Sequence, residues 1–116
     1  MTLQIVEEPL SQEGALLRVR GRLDAVTAPD LKERLKQLAA GGHVHLVLDM
    51  TTVSFVDSAG LAALVSGLKA TREAGGTIKL AGLGRQARTA FEVTLLDRVF
   101  EFYPDADAAL RTLPAP

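Results

Sequence analysis

Residues 43–81 read HVHLVLDMTTVSFVDSAGLAALVSGLKATREAGGTIKLA, and the spacing of their apolar positions changes twice. Over residues 43–49 it has the period of a strand, with Val44, Leu46 and Leu48 on one face and His43, His45 and Val47 on the other. A loop then leads to Asp57, a suitable helix cap, after which Leu61, Leu64, Val65 and Leu68 fall on one helical stripe. Gly75-Gly76 end that helix, and residues 77–81 form a second strand with Ile78 and Leu80 facing inward. Strand, helix and strand in this order make a right-handed crossover between parallel strands. The alternate strand positions then decide where the helices go. Strands covered on both faces read as continuous apolar runs, whereas Arg18, Arg20, His43, His45, Thr77 and Lys79 occupy alternate positions here. The helices are therefore expected mainly on one face, with the other face at least partly wet.

Working outward, residues 3–7 and 15–21 are two short alternating runs joined by the turn-like residues 9–14. Thr27 has the chemistry of an N-cap, with Pro29 in the first turn, Asp30 three residues on, and Leu31, Leu35 and Leu38 at i, i+4 and i+7. Gly41-Gly42 stop that helix. A third helix is predicted from about Arg85, with Ala87, Ala90 and Phe91 inward. A last strand follows over residues 99–103, and a final helix, capped by Asp105 or a neighbour, carries Ala106, Ala109, Leu110 and Leu113. The order ββαβαβαβα predicts an α/β fold, a short βα superhelix on a mixed sheet of about five strands.

The chain has 116 residues, the size of one ordinary domain, and residues 1–116 are expected to form one, with residues 113–116 as a tail. Thirteen basic and fourteen acidic residues leave a net charge of −1, with a pI near 6.1, so no bulk field draws the chain to nucleic acid or to an anionic membrane. The absence of cysteine excludes a disulfide scaffold, a thiolate metal site and a cysteine nucleophile. No apolar run is long enough for a membrane span, and the first residues lack the pattern of a secretory signal, so a cytoplasmic location is expected.

Four local patterns compete as functional sites. Residues 82–87 match G-x-G-x-x-A between a strand and a helix, as a dinucleotide-binding turn would. That turn arrives late in the chain and on a one-faced sheet, so a glycine-bearing structural turn is the better reading. Asp49 closes a central strand as a phosphoaspartate would, but Ala81-Gly82 supply no hydroxyl and Tyr103-Pro104 no lysine. His43 and His45 point to one face, but no further His or Cys completes a zinc site, and exposed strand histidines explain them. No nucleophile–base pair appears at local spacing. The fourth pattern is the turn FVDSAGL (residues 55–61): Asp57 caps the helix, and the Ser58 hydroxyl projects near free backbone N–H groups that favour an anion. Ser and Asp are also ordinary helix-start residues, so spacing alone leaves the bland reading standing. Ser58, Ala62, Ser66 and Lys69 form a further stripe, whose small residues would let a partner approach the helix closely.

DMTTVSFVDSAGLAALV (residues 49–65), preceded by GRLDAVTAPDLKERL (residues 21–35), resembles the STAS domain family. The likeness runs from about Ala15 to Leu110 and is nearest to the stand-alone bacterial anti-sigma-factor antagonists. It implies a binding module, not an enzyme, with no cofactor and no metal. It implies that Ser58 is phosphorylated by an anti-sigma factor that is also an ATP-dependent serine kinase. The unphosphorylated form would bind that partner and release the sigma factor, and a serine phosphatase would reset the cycle. Asp24, Asp57, Ser58 and Ala59 are then expected at the partner contact, and the helix stripe adds Ala62 and Ser66 as expected partner-binding residues. Ala59 stands where many relatives carry a second serine, so no adjacent hydroxyl can substitute; Thr51, Thr52 and Ser54 are expected to serve the loop backbone. The alternative within the fold is a subunit of a lipid-transport or stress-sensing complex; a nucleotide-binding enzyme using residues 82–87 is more distant.

Overall fold

Five strands lie side by side in sequence order in one mixed sheet: β1 (Gln4–Pro9), β2 (Gly14–Leu23), β3 (His45–Val56), β4 (Thr77–Ala81) and β5 (Glu101–Tyr103). β1 and β2 are antiparallel, and the other three pairings are parallel. The parallel pairings require crossovers, and these carry α1 (Ala28–Ala40), α2 (Ser58–Glu73) and α3 (Arg85–Val93). A 3₁₀ turn (Leu96–Arg98) precedes β5, and α4 (Ala106–Leu110) follows it. This computed structural model describes residues 3–10 and 13–113. Part of the predicted turn at residues 9–14, and the tail beyond Leu113, lie outside the described residues.

The predicted α/β order is found, with the helices mainly on one face. Leu17, Leu46, Leu48, Ile78 and Leu80 of the sheet are fully buried against Leu31, Leu35 and Leu64 of α1 and α2. Phe91 of α3 anchors the β5 end of this layer, meeting Phe100 and Phe102 edge-on with ring centroids 5.4 and 5.3 Å away. The second face is less wet than the alternation implies. α4 packs there, closing a smaller cluster of Leu16, Val47, Ala81 and Ala109. Beside it, Lys79 is only 8% exposed, its ammonium bonded to Glu101 (3.1 Å) and to the Tyr103 hydroxyl (3.3 Å).

Several local expectations are corrected. β3 does not give way to a loop after Asp49 but runs on to Val56, because β2 keeps pairing with it as far as Leu23 through two irregularities near Gly21. Its polar residues there, Thr51, Thr52 and Ser54, are exposed, which disguises the strand. Thr52 and Ser54 bond carbonyls of Val19 and Gly21 in β2. Thr27 precedes α1 but does not cap it. Its own backbone is already helical, and its buried hydroxyl donates to the Arg22 carbonyl (2.6 Å). Val65 is not in the buried stripe of α2 but 37% exposed. β5 begins only at Glu101, since the 3₁₀ turn, entered through Leu95 at φ 61°, uses the residues before it.

Candidate functional site

β2 and β3 end level with each other, Leu23 opposite Val56, so the residues that follow, Asp24 and Asp57, leave the same end of the sheet side by side. Asp57 is extended, and its N–H donates to the Leu23 carbonyl (3.1 Å). Its Oδ1 accepts from the Gly60 N–H (3.0 Å), an N-cap of the predicted kind. Ser58 is the first residue of α2 and is exposed, with the first-turn N–H groups and the positive end of the helix dipole beside it. The first turn lies directly on β2: a Cβ on Gly60 would come 2.6 Å from the Leu23 carbonyl oxygen and 2.8 Å from Leu23 Cγ. The glycine two residues after Ser58 is thus a packing requirement.

Asp24 organises the neighbouring loop. Its Oδ1 accepts from the N–H groups of Val26 (3.0 Å) and Thr27 (3.2 Å), and Arg22 Nε lies 3.6 Å from Oδ2. Desolvation by itself would raise the carboxyl's pKa, but the bonds from Thr27 and Val26 and the Arg22 charge prevail and hold it below its ordinary value. The Arg22 guanidinium also sits 4.3 Å from the centre of the Phe55 ring. No hydrogen bond joins Asp24 to Ser58 among the described residues; they share an end of the sheet.

The α2 stripe separates two shallow grooves. On one side Ser58, Ala62, Ser66 and Lys69 border a groove of about 500 Å³, with an apolar lining from Leu61, Val65 and Leu96. On the other, Ala59, Ala62 and Ala63 face Ala25, Ala28 and Pro29 across about 310 Å³. Ala62, exposed and small, is the ridge between them. Ser66 and Ala59 are half-buried, and Lys69 is exposed. Val26 (77% exposed) and Leu95 (58%) add apolar surface beyond the two grooves.

Gln86 is a residue that the sequence reading missed. From the first turn of α3 its carboxamide bonds both backbone groups of Val56, Oε1 accepting from the N–H and Nε2 donating to the carbonyl, each at 2.8 Å. Nothing in a lone glutamine after a glycine turn signals this, because its partner is thirty residues earlier.

The competing patterns have structural roles. Gly82, at φ +72°, lies so close to Thr51 that a Cβ there would collide with its hydroxyl, and Gly84 is the N-cap residue of α3. The adjoining hollow, between this turn and Phe102 and Tyr103, measures only about 60 Å³. Asp49 does not close its strand: it lies mid-β3, bonded to Arg18 (3.0 Å) and to the Thr51 N–H (3.0 Å). His45 alone is on β3. His43 lies before the strand, in the turn that closes α1, its N–H bonding the Leu38 carbonyl (2.8 Å), and both histidines are half-buried rather than exposed. Among the described residues, no three His, Asp or Glu side chains converge as metal ligands, and no helix is long and apolar enough to cross a membrane.

Residues 6–109 match the sequence model of the STAS domain. An anti-sigma-B factor antagonist of Listeria monocytogenes is 36% identical over 83 residues, 72% of this chain and 73% of that one. That of Bacillus subtilis is 28% identical over 95 residues, 82% and 86% of the two chains. The crystal structure of an anti-sigma factor antagonist from Mycobacterium paratuberculosis superimposes with a TM-score of 0.83 at 28% identity, covering 94% of this chain and 92% of the other.

Proposed function

The chain belongs to the STAS domain family, and from that membership we propose that it is an anti-sigma-factor antagonist switched by phosphorylation of Ser58. It acts in the cytoplasm as a binding module rather than as an enzyme. Unphosphorylated, it binds an anti-sigma factor that is also an ATP-dependent serine kinase, and the sigma factor is released. Transfer of the γ-phosphoryl group to the Ser58 hydroxyl ends that complex, and a serine phosphatase restores the hydroxyl. Asp24, Asp57, Ala59, Ala62 and Ser66 form the partner surface around Ser58.

The observation that carries this reading is the placement of Ser58: an exposed hydroxyl at the start of a sixteen-residue helix, bordering an apolar groove. The relatives named as anti-sigma-B factor antagonists support the kind of partner. The local chemistry tolerates the modification, because helix N–H donors and the dipole favour the phosphate, while the charge of Asp57 is screened by solvent. The partner's surface does not tolerate it, since a group of charge near −2 must be desolvated where a neutral hydroxyl fitted.

The test is to capture the partner kinase on the unphosphorylated chain, then incubate wild type and Ser58→Ala with it and Mg-ATP. Wild type gains the mass of one phosphate and loses affinity; Ser58→Ala gains none and stays bound. Equal phosphate uptake by both proteins, or undiminished affinity of the phosphorylated wild type, overturns the reading.

A further inference from the structure

β3 is longer than the strand on its α3 side. Its pairing with β4 ends at Asp49 opposite Ala81, yet β3 continues for seven residues to Val56. Along that stretch its inner edge is held by β2, while among the described residues no strand pairs with its outer edge. At Val56 the exposed edge is closed by a side chain. The Gln86 carboxamide offers an acceptor and a donor at the spacing of a peptide group, and it answers the N–H and the carbonyl of Val56 together, both at 2.8 Å. On the opposite side the next residue, Asp57, donates its N–H to Leu23 of β2. The two residues before Ser58 are therefore tied laterally in both directions, to β2 by backbone and to α3 by one glutamine.

We propose that Gln86 is a positioning residue for Ser58: it fixes the backbone from which the phosphoacceptor turn springs and couples that turn to α3. The inference rests on the reading of Ser58 as phosphoacceptor. Without the carboxamide, Val56 keeps neither partner on its α3 side, and the part-buried N–H and carbonyl must turn to water. The Asp57 cap and the contact of Gly60 with Leu23 remain, so α2 still forms, but its entry from β3 gains freedom toward α3. Phosphoryl transfer needs the hydroxyl held close to the in-line geometry, so looseness there lowers turnover more than it lowers binding.

Gln86→Ala and Gln86→Glu test this by NMR hydrogen exchange and by phosphorylation kinetics with the kinase captured on wild type. In Gln86→Ala the Val56 amide exchanges about tenfold faster, the loss of roughly one net hydrogen bond, while the buried α1 amide of Leu35 is unchanged. The kcat for phosphorylation falls about tenfold with KM altered less than about twofold. In Gln86→Glu the ionised carboxylate repels the Val56 carbonyl, whereas the protonated acid both donates and accepts. The Val56 carbonyl ¹³C shift therefore returns to its wild-type value as pH falls through the pKa of the introduced carboxyl, a signature that general destabilisation does not produce. The inference is overturned if Val56 exchange and kcat in Gln86→Ala equal those of wild type, or if Leu35 loses protection in parallel with Val56. A wild-type chain that takes no phosphate at Ser58 overturns instead the reading of Ser58, and the exchange contrast then decides the geometry of the turn by itself.

Discussion

Asp24 shows how one carboxylate can serve the loop and still be available to a partner. Oδ1 is engaged by two backbone N–H groups, and among the described residues Oδ2 has only Arg22, at 3.6 Å. Asn in its place keeps the acceptor oxygen that holds the turn and removes the charge. Asp24→Asn is expected to leave the urea unfolding midpoint close to that of wild type near neutral pH. Binding to the kinase partner should weaken, and unchanged affinity would remove Asp24 from the interface. The sign of its pH dependence follows from the depressed pKa. Whatever stability the ionised group adds is fully present above its ordinary value of 3.8 and disappears as pH falls through the lower folded value. The difference between wild type and Asp24→Asn should therefore shrink to nothing in acid. Gly60 marks the opposite case, a residue selected by the absence of a side chain, because α2 begins in contact with the backbone of β2.

Two helices invite tests of their own. On α2, Ala62 separates the grooves and is exposed, so Ala62→Arg adds bulk and charge at the proposed partner surface without entering the core. Its melting temperature should stay near that of wild type while partner affinity falls; a full-affinity complex would place the interface elsewhere. α4 is short, capped by the Asp105 carboxylate on the Ala108 N–H (2.8 Å), and held on the second sheet face by the fully buried Ala109. Ala109→Glu should undock it and destabilise the protein by about 3 kcal/mol, because a charge would be buried among Leu16, Val47 and Ala81. Tyr103, the chain's one tyrosine beside no tryptophan, packs on that cluster, so its fluorescence should report the undocking.

Across the whole molecule, 34 × 25 × 23 Å, the proposed switch is an exposed hydroxyl at one end of the sheet; the core reaches that end through Leu23, Val56 and Leu61, but the Ser58 side chain lies outside it. Phosphorylation of Ser58 is accordingly expected to weaken the partner complex by about 30- to 150-fold, or roughly 2–3 kcal/mol, with little change in unfolding midpoint. Ser58→Asp should bind poorly, though one charge imitates two imperfectly; calorimetric titration of the captured kinase reads both. The division between sequence and structure follows the range of the interactions. Apolar periods, glycine stops and the Asp57 and Asp105 caps act within a few residues, so the ββαβαβαβα order, the placement of the helices mainly on one face and the Ser58 turn were legible along the chain. Thr27 misled because its hydroxyl turns back into the loop, accepting from the Asp24 N–H and donating to the Arg22 carbonyl instead of accepting from the first turn of α1, a choice that loop geometry makes. The extension of β3 to Val56 depends on β2 being its partner, the cover over Lys79 depends on β5 and α4 folding back, and Gln86 meets Val56 only once α3 has docked. Each of these joins residues far apart in sequence, where no local period carries a signal, and there tertiary packing alone decides which groups meet.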